Sequence, residues 1–162
     1  MIRLSDKQIE EYFHRSYTTV DGLWFMKIEE KYGFDTALDI DNEVWKVMPK
    51  IQARFFKSLG KADDGIDGLF ECLTTRLSLE GYKFKAEKTG SGGDFKLTVN
   101  VCPWHNLMIK SGREKLSSKI GGLICSTEYS VWATEFGPNI RFELKDQICQ
   151  GSQYCIVRFY ST

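Results

Sequence analysis

The apolar residues follow a helical period in the first third of the chain and a strand period in much of the rest. In the first third they recur at three-, four- and seven-residue steps, which is typical of amphipathic helices. Ser5 and Gln8 have the spacing of a capping box, and Gly33 predicts a break between two long helices. Pro49 predicts a kink or a restart in the second helix, because proline lacks an amide donor. Residues 1–62 are therefore predicted to form an N-terminal helical subdomain.

The rest of the chain, residues 63–162, is predicted to alternate between helices and pairs of strands. A helix is predicted before the first hairpin and another before the second, and two adjacent glycines in the later helix allow a close packing contact. This order predicts an α+β fold, with an antiparallel sheet and packed helices, over residues 63–162. The predicted elements are a helix from Ile66 to Leu79, strands at Tyr82 to Ala86 and Phe95 to Val101, a helix from Glu114 to Phe136 containing Gly121 and Gly122, and strands at Ile140 to Leu144 and Tyr154 to Tyr160.

Composition narrows the classes of function. The 22 basic and 22 acidic residues cancel, so the positive surface that nucleic-acid binding requires is not expected. No apolar run approaches the roughly 20 residues that cross a bilayer, and the start of the chain is acidic where a signal peptide would be apolar. A cytoplasmic protein without a membrane or nucleic-acid partner is therefore expected. Five cysteines without a secretion signal argue against a disulfide framework.

Four of the five cysteines lie from residue 102 onward, most at the edge of a predicted element and most with a polar companion three positions away. Thiolate, imidazole and carboxylate groups are the ligands of zinc and similar metals. The sequence therefore predicts a zinc-like site, although the chain has no C-x-x-C unit and the same thiols are compatible with a metal-free core. The candidate residues are Cys102 with His105, Cys125 with Glu128, Asp146 with Cys149, and Cys155.

The stretch "VCPWH" also allows a catalytic interpretation. Pro103 could open a helix, which would place Cys102 at a helix N-terminus beside His105. Such surroundings lower the pKa of a thiol and make a nucleophile, yet the sequence names no third residue to orient the imidazole. Trp104 and Trp132 could line an apolar ligand pocket, but aromatic residues on helices also fit a core.

The segments "VCPWHNLMIKSGREKL", "ICSTEYSVWATEFG" and "DQICQGSQYCIVRF" resemble the L-2-amino-thiazoline-4-carboxylic acid hydrolase-like proteins, in an uncharacterised prokaryotic branch. The matching positions are Cys102 with Pro103, Cys125 with Glu128, and Gly151 with Cys155. The resemblance implies a hydrolase acting on a cyclic amidine-type carbon–nitrogen bond. Cys102, His105 and Glu128 are its candidate catalytic residues.

The same region is distantly similar to vinyl-reductase-like ligand-binding domains. Some sensor domains of that type hold zinc through residues in the order of Cys125, Asp146, Cys149 and Cys155, and they tend to form homodimers. This resemblance implies a small-molecule-binding protein with a cysteine-rich zinc site, in which Cys102 is a further candidate ligand. The hydrolase is the alternative, and a metal-free protein with a structural or interaction role is the third hypothesis.

Overall fold

A computed structural model describes residues 2–60, 63–90 and 92–162. It contains two compact units, Met1–Asp41 and Asn42–Thr162. The first unit is helical, and the second holds the sheet. None of the described helices combines the length and the apolar character needed to cross a bilayer.

The first unit consists of helix α1 (Asp6–Tyr32) and the beginning of α2 (Phe34–Trp45). The predicted capping box is confirmed, since Ser5 accepts from the Gln8 amide and the Gln8 side chain accepts from the Ser5 amide. The predicted break is confirmed as well. Gly33 has φ +88°, a region that favours glycine, and its amide donates to the Glu29 carbonyl at 2.9 Å. Glycine therefore ends α1 and allows α2 to start in a new direction.

The described part of the second unit combines helices with an antiparallel sheet, as predicted for an α+β fold. Pro49 lies in the first turn of its helix, where a missing amide costs little, so it restarts the helical chain as predicted. The elements are α3 (Met48–Ser58), α4 (Ile66–Leu79), β1 (Lys83–Lys88), β2 (Phe95–Val101), α5 (Pro103–Lys110), α6 (Glu114–Phe136), β3 (Ile140–Asp146), a 3-10 turn (Ile148–Gln150) and β4 (Cys155–Ser161).

The two predicted hairpins join through their later strands, giving the order β1-β2-β4-β3. Leu97 of β2 lies opposite Val157 of β4, and both are fully buried. Helices α4 and α6 cover the face on which these side chains lie, and the core fills the space between helices and sheet. The largest fully buried side chains include Leu69, Leu73, Phe95, Trp132, Phe136 and Phe159.

Helix α3 packs with the sheet-bearing unit. Ala53 is fully buried, and the Phe56 ring lies 6.5 Å from the Trp132 ring of α6. We expected the N-terminal helical subdomain to extend to residue 62. The contacts of α3 with α4 and α6 instead bring it into the second unit, because its apolar side covers the far end of the core.

Candidate functional site

Two cysteines reach the same end of the sheet because their strands are antiparallel neighbours. Cys102 directly follows β2, and Cys155 begins β4. The register pairs Val99 with Cys155, so the end of β2 and the start of β4 lie side by side. Cys102 also caps α5, with Pro103 in the first turn as the sequence predicted.

The other two cysteines meet at Gly121 of α6. A methyl group on Gly121 would stand 2.6 Å from Cys149 Sγ and 3.9 Å from Cys125 Sγ. The two sulfurs are therefore no further apart than the sum of these distances. Cys149 lies directly on the helix backbone, a contact that any side chain at position 121 would prevent. The close packing predicted for this glycine pair is confirmed at Gly121.

Hydrogen bonds fix the 3-10 turn that carries Cys149. The buried Gln147 side chain donates to the Gly121 carbonyl at 3.1 Å and accepts from the Gln150 side chain at 2.7 Å. The Ile148 amide donates to Cys155 Sγ at 3.2 Å. Gly151 closes the turn in the left-handed region, with φ +92°. These bonds hold the turn against both α6 and the start of β4.

We call Cys102, Cys125, Cys149 and Cys155 the thiol cluster. All four are free thiols. Burial raises the pKa of Cys125 well above its usual value, and the charges of Glu128 and of the other three thiolates raise it further. Burial likewise raises the pKa of Cys149, and it raises that of Cys155 to about 11. The four sulfurs are thus close enough to influence each other's ionisation, and the protein surroundings favour the neutral thiols.

Among the described residues, no group of three His, Cys, Asp or Glu side chains is placed so that it could hold a metal ion. Asp146, the predicted acidic ligand, is exposed at an irregularity in the β3–β4 pairing, opposite Ile156. Its charge still raises the pKa of Cys155, so it lies near the thiol cluster without being buried in it.

A second polar group lies in the interior beside the thiol cluster. Arg76 Nη2 of α4 is 2.6 Å from Glu128 Oε1 of α6 and 2.8 Å from Glu80 Oε2. Arg76 is only 2% exposed, and both carboxylates are buried. The Gln52 side chain also donates to Glu80 Oε1 at 3.1 Å. We call Arg76, Glu80 and Glu128 the ion cluster.

One guanidinium faces two carboxylates in this cluster, and the ionisation of Glu128 reflects that imbalance. Burial raises the pKa of Glu128 to about 7 against the lowering effect of Arg76, and the charge of Glu80 raises it as well. For Arg76 the burial penalty lowers the pKa, but the charges of Glu128 and Glu80 outweigh it. A proton on Glu128 therefore balances the charge of the cluster near neutral pH.

Tyr82 connects the two clusters. Its ring lies 5.6 Å from the Arg76 guanidinium carbon. Burial raises the pKa of Cys102, although the backbone amides of His105 and Trp104 and a hydrogen bond with Tyr82 oppose the rise. The net direction is upward, which favours the thiol over the nucleophilic thiolate. His105 Nδ1 is buried without a hydrogen-bond partner, although a catalytic imidazole would normally be oriented by one.

The two tryptophans predicted to line a ligand pocket are in packed surroundings. Trp132 is fully buried and stacks on Phe136, with 6.0 Å between ring centroids. Trp104 meets Trp45 edge to face at 5.7 Å. Trp132 thus contributes to the core, and its role in a ligand pocket stays a prediction.

Sequence reasoning identified Glu128 but missed its partners Arg76 and Glu80. The signal was present in α4, where Leu69, Leu73, Arg76 and Glu80 follow each other at steps of four, three and four. These steps continue the apolar stripe, so they place both charges on the buried side of the helix. A basic and an acidic residue four apart on such a stripe indicate a buried ion pair.

A family model described as "Family of unknown function (DUF6125)" matches residues 4–159. The chain belongs to the DUF6125 family. No curated protein matches it, and no solved structure does. The matched span of this DUF6125 chain contains every residue of the thiol cluster and of the ion cluster.

Proposed function

We propose that this DUF6125 protein is a small-molecule-binding protein of the cytoplasm that holds a zinc-like metal in its thiol cluster. The observation that carries the proposal is that Cys125 and Cys149 both lie against Gly121, while Cys102 and Cys155 lie at the adjacent ends of β2 and β4. They belong to the N-terminus of α5, the middle of α6, the 3-10 turn and the start of β4. Thiols of a cytoplasmic protein stay reduced and available as ligands.

The chemistry of these donors fits a borderline-soft cation. Burial raises the pKa of each thiol, and the charge of at least one other cysteine raises the pKa of Cys125, Cys149 and Cys155 further. A coordinated divalent ion reverses this effect, because the bound thiol loses its proton and the negative charges are neutralised. The Ile148 amide already donates to Cys155 Sγ, and such bonds stabilise a metal-bound thiolate.

Cys125, Cys149 and Cys155 would supply three ligands, and either Cys102 or Asp146 the fourth. Cys102 is favoured because it follows β2 beside the start of β4 and its charge raises the pKa of the other three thiols, whereas Asp146 is exposed. Four thiolates would make a closed, structural site. Metal binding would require the donors to move, because metal–sulfur distances are about 2.3 Å and the described residues include no group already placed to hold a metal ion.

The buried Glu128 supports a second candidate, a hydrolase of a small heterocyclic carbon–nitrogen bond. A carboxyl group with a pKa of about 7 can take a proton from an attacking water and return it to the leaving nitrogen. Arg76 would hold Glu128 in position through its ion pair. Incubation with 2-amino-thiazoline-4-carboxylate tests this candidate. Ring opening that Glu128→Gln abolishes would support it, and the absence of ring opening would exclude this substrate.

The metal proposal is tested by elemental analysis of protein purified under reducing conditions without chelators. We expect about one equivalent of zinc per chain, lost in Cys125→Ser and Cys149→Ser. Cys72→Ala is the matched control, because Cys72 is a buried core residue of α4 outside the thiol cluster, and its metal content should match the wild type. Less than about half an equivalent, together with unchanged thermal stability after chelation, would contradict the proposal.

A further inference from the structure

Cys125 and Cys149 reach the same point on helix α6, above Gly121. A Cβ atom at Gly121 would stand 3.9 Å from Cys125 Sγ, 2.6 Å from Cys149 Sγ and 3.3 Å from Cys149 Cβ. Helical side chains lean toward the N-terminus of their helix, so Cys125 covers the turn that contains Gly121. Cys149 enters the same place from the 3-10 turn. Glycine at position 121 therefore leaves room for both sulfurs at one point of the helix surface.

The other cysteines are less suited to bond with each other. Cys155 is the strand partner of Val99, and Cys102 lies three residues beyond Val99. Three extended residues span roughly 10 Å, whereas two cysteines whose Cα atoms are more than about 7 Å apart form no disulfide without backbone movement. Cys72 is 4% exposed and belongs to the core of α4. Cys125 and Cys149 are therefore the pair that the fold brings together.

We propose that Cys125 and Cys149 are a redox site, and that they form a reversible disulfide by exchange with a low-molecular-weight disulfide such as oxidised glutathione. Both are free thiols, and both are half-buried, unlike the enclosed Cys72. The reaction needs no metal, so this proposal goes beyond the proposed zinc site and does not rest on it. Oxidation would consume two of the proposed zinc ligands, which makes the disulfide and the metal alternatives.

The exchange has two steps, and Cys149 reacts first because it lies in a turn beside the exposed Gln150. Its sulfur attacks oxidised glutathione. A bond from Cys149 to one glutathione forms, the glutathione disulfide breaks, and one glutathione thiol leaves with the proton of Cys149. Cys125 Sγ then attacks Cys149 Sγ, and the second glutathione thiol leaves with the proton of Cys125. Two protein thiols are oxidised and one glutathione disulfide is reduced to two thiols.

Bond formation should move the 3-10 turn and leave α6 in place. The two sulfurs of a disulfide are about 2.05 Å apart, so one of them must approach the other. Cys125 lies inside a 23-residue helix with a hydrogen-bonded backbone, whereas Cys149 lies in a turn of three residues. The turn is therefore the part that adjusts.

The test uses the whole protein, reduced, freed of metal with a chelator and then incubated with oxidised glutathione. We expect the five thiols of the reduced chain to fall to three, with two glutathione thiols released per chain. The protein should become lighter by two hydrogen atoms. Digestion with trypsin and chymotrypsin, which cleaves after Tyr154, separates Cys149 from Cys155. The cross-linked peptides should contain Cys125 and Cys149.

Variants assign the two steps. Cys125→Ser should stop the reaction after the first step, so that the chain retains one bound glutathione. Cys155→Ser is the matched control, because Cys155 belongs to the thiol cluster and not to the pair, and the same disulfide should form. Gly121→Ala keeps both thiols but fills the point where they meet, so the second step should slow at least about tenfold. Circular dichroism should show the same helicity in all variants.

Retention of all five thiols in the metal-free wild type would overturn the proposal, as would a cross-link from Cys149 to Cys155 or a mixture of pairings. Zinc analysis of the same protein separates this proposal from the metal proposal. A protein that holds no zinc and forms the disulfide between Cys125 and Cys149 contradicts only the metal proposal. A protein that holds zinc, but whose metal-free form keeps its five thiols, contradicts only the redox proposal.

Discussion

The thiol cluster and the ion cluster are neighbouring polar groups in one interior, and they differ in how their charges are balanced. In the ion cluster, Arg76 lies within 2.8 Å of both Glu80 and Glu128. One guanidinium and a proton on Glu128 balance the two carboxyl groups there. In the thiol cluster, ionisation of any of the other three sulfurs would raise the pKa of Cys125 further, as the charge of Glu128 does. The charges of the ion cluster are balanced within the chain, whereas under the proposed function a cation would neutralise the thiol cluster.

This difference separates a structural group from a candidate binding site. Buried groups that neutralise each other contribute to the stability of the fold through their contacts. Loss of one member leaves an unpaired buried charge. The thiol cluster, gathered from separate elements, contains only cysteines and therefore has no cationic member. Mutations should therefore affect folding most strongly in the ion cluster and metal binding most strongly in the thiol cluster.

The largest expected effect is on the ion cluster. Arg76→Leu leaves two buried carboxylates without their counter-ion and should lower the free energy of unfolding by about 3–5 kcal/mol, measured by urea denaturation. Arg54→Ala is the control, because Arg54 also pairs with a glutamate, Glu135, but is largely exposed. That change should cost at most about 1 kcal/mol. Equal losses in the two variants would mean that Arg76 does not balance buried charge.

Substitution at Gly121 should damage the thiol cluster selectively. Gly121→Ala places a methyl group 2.6 Å from Cys149 Sγ, so the 3-10 turn must move, at a cost of about 1–3 kcal/mol. Zinc binding should weaken at least about tenfold, because Cys149 is displaced. At Gly122 a methyl group would meet only the end of the Gln150 side chain, at 3.5 Å.

Gly122→Ala is therefore the matched control, and it should stabilise α6 by about 0.5–1 kcal/mol and leave zinc binding unchanged. Titration of zinc with a competing chelator measures both affinities, and urea denaturation measures both stabilities. Identical behaviour of the two alanine variants would contradict the close contact at Gly121.

The pH dependence of stability should report on Glu128. Its pKa is raised from 4.5 to about 7 in the folded protein, so the folded state keeps a proton that the unfolded state has already lost. The resulting stabilisation is present in acid and disappears as the pH rises through about 7. Between about pH 5.5 and about pH 8 the free energy of unfolding should fall by about 2 kcal/mol.

Glu128→Gln should remove most of this fall, because the amide does not titrate. Denaturation curves at both pH values compare the variant with the wild type. Glu11→Gln on the exposed side of α1 is the control, and its free energy of unfolding should decrease with pH as in the wild type. An unchanged pH dependence in Glu128→Gln would assign the titration to another group.

The smallest expected effect tests the connection between the clusters. Tyr82→Phe removes the hydroxyl that bonds with Cys102 and keeps the ring beside Arg76. This variant should lower the free energy of unfolding by about 1 kcal/mol. Its zinc affinity should change less than that of Gly121→Ala. A larger effect on zinc than on stability would show that Tyr82 orients Cys102 as a ligand.

The elements of the second unit were predictable because their patterns are local. The stripe through Leu69 and Leu73 defines α4, and the alternation through Phe95, Leu97 and Val99 defines β2. The order of the strands was not predictable, since pairing of β2 with β4 depends on contacts between distant parts of the chain. The proximity of Cys102 to Cys155 follows from that pairing.

The residues of the candidate site were predictable from the sequence, but their spatial arrangement was not. The spacing of Cys149 and Cys155 around a turn identified the thiols, and the contact at Gly121 explains how Cys149 meets Cys125. Glu128 was taken as a possible reactive residue, yet its buried partner Arg76 lies 52 positions earlier on another helix. Only the packing of α4 on α6 brings these two charges together.

The central claim, that the thiol cluster holds zinc, is tested most directly by X-ray absorption at the zinc edge of the purified protein. The account predicts a first shell of three or four sulfur atoms at about 2.3 Å. The sulfur count should fall by one in Cys149→Ser and remain unchanged in Cys72→Ala. A protein without zinc, or a zinc shell made only of nitrogen and oxygen, would contradict the account.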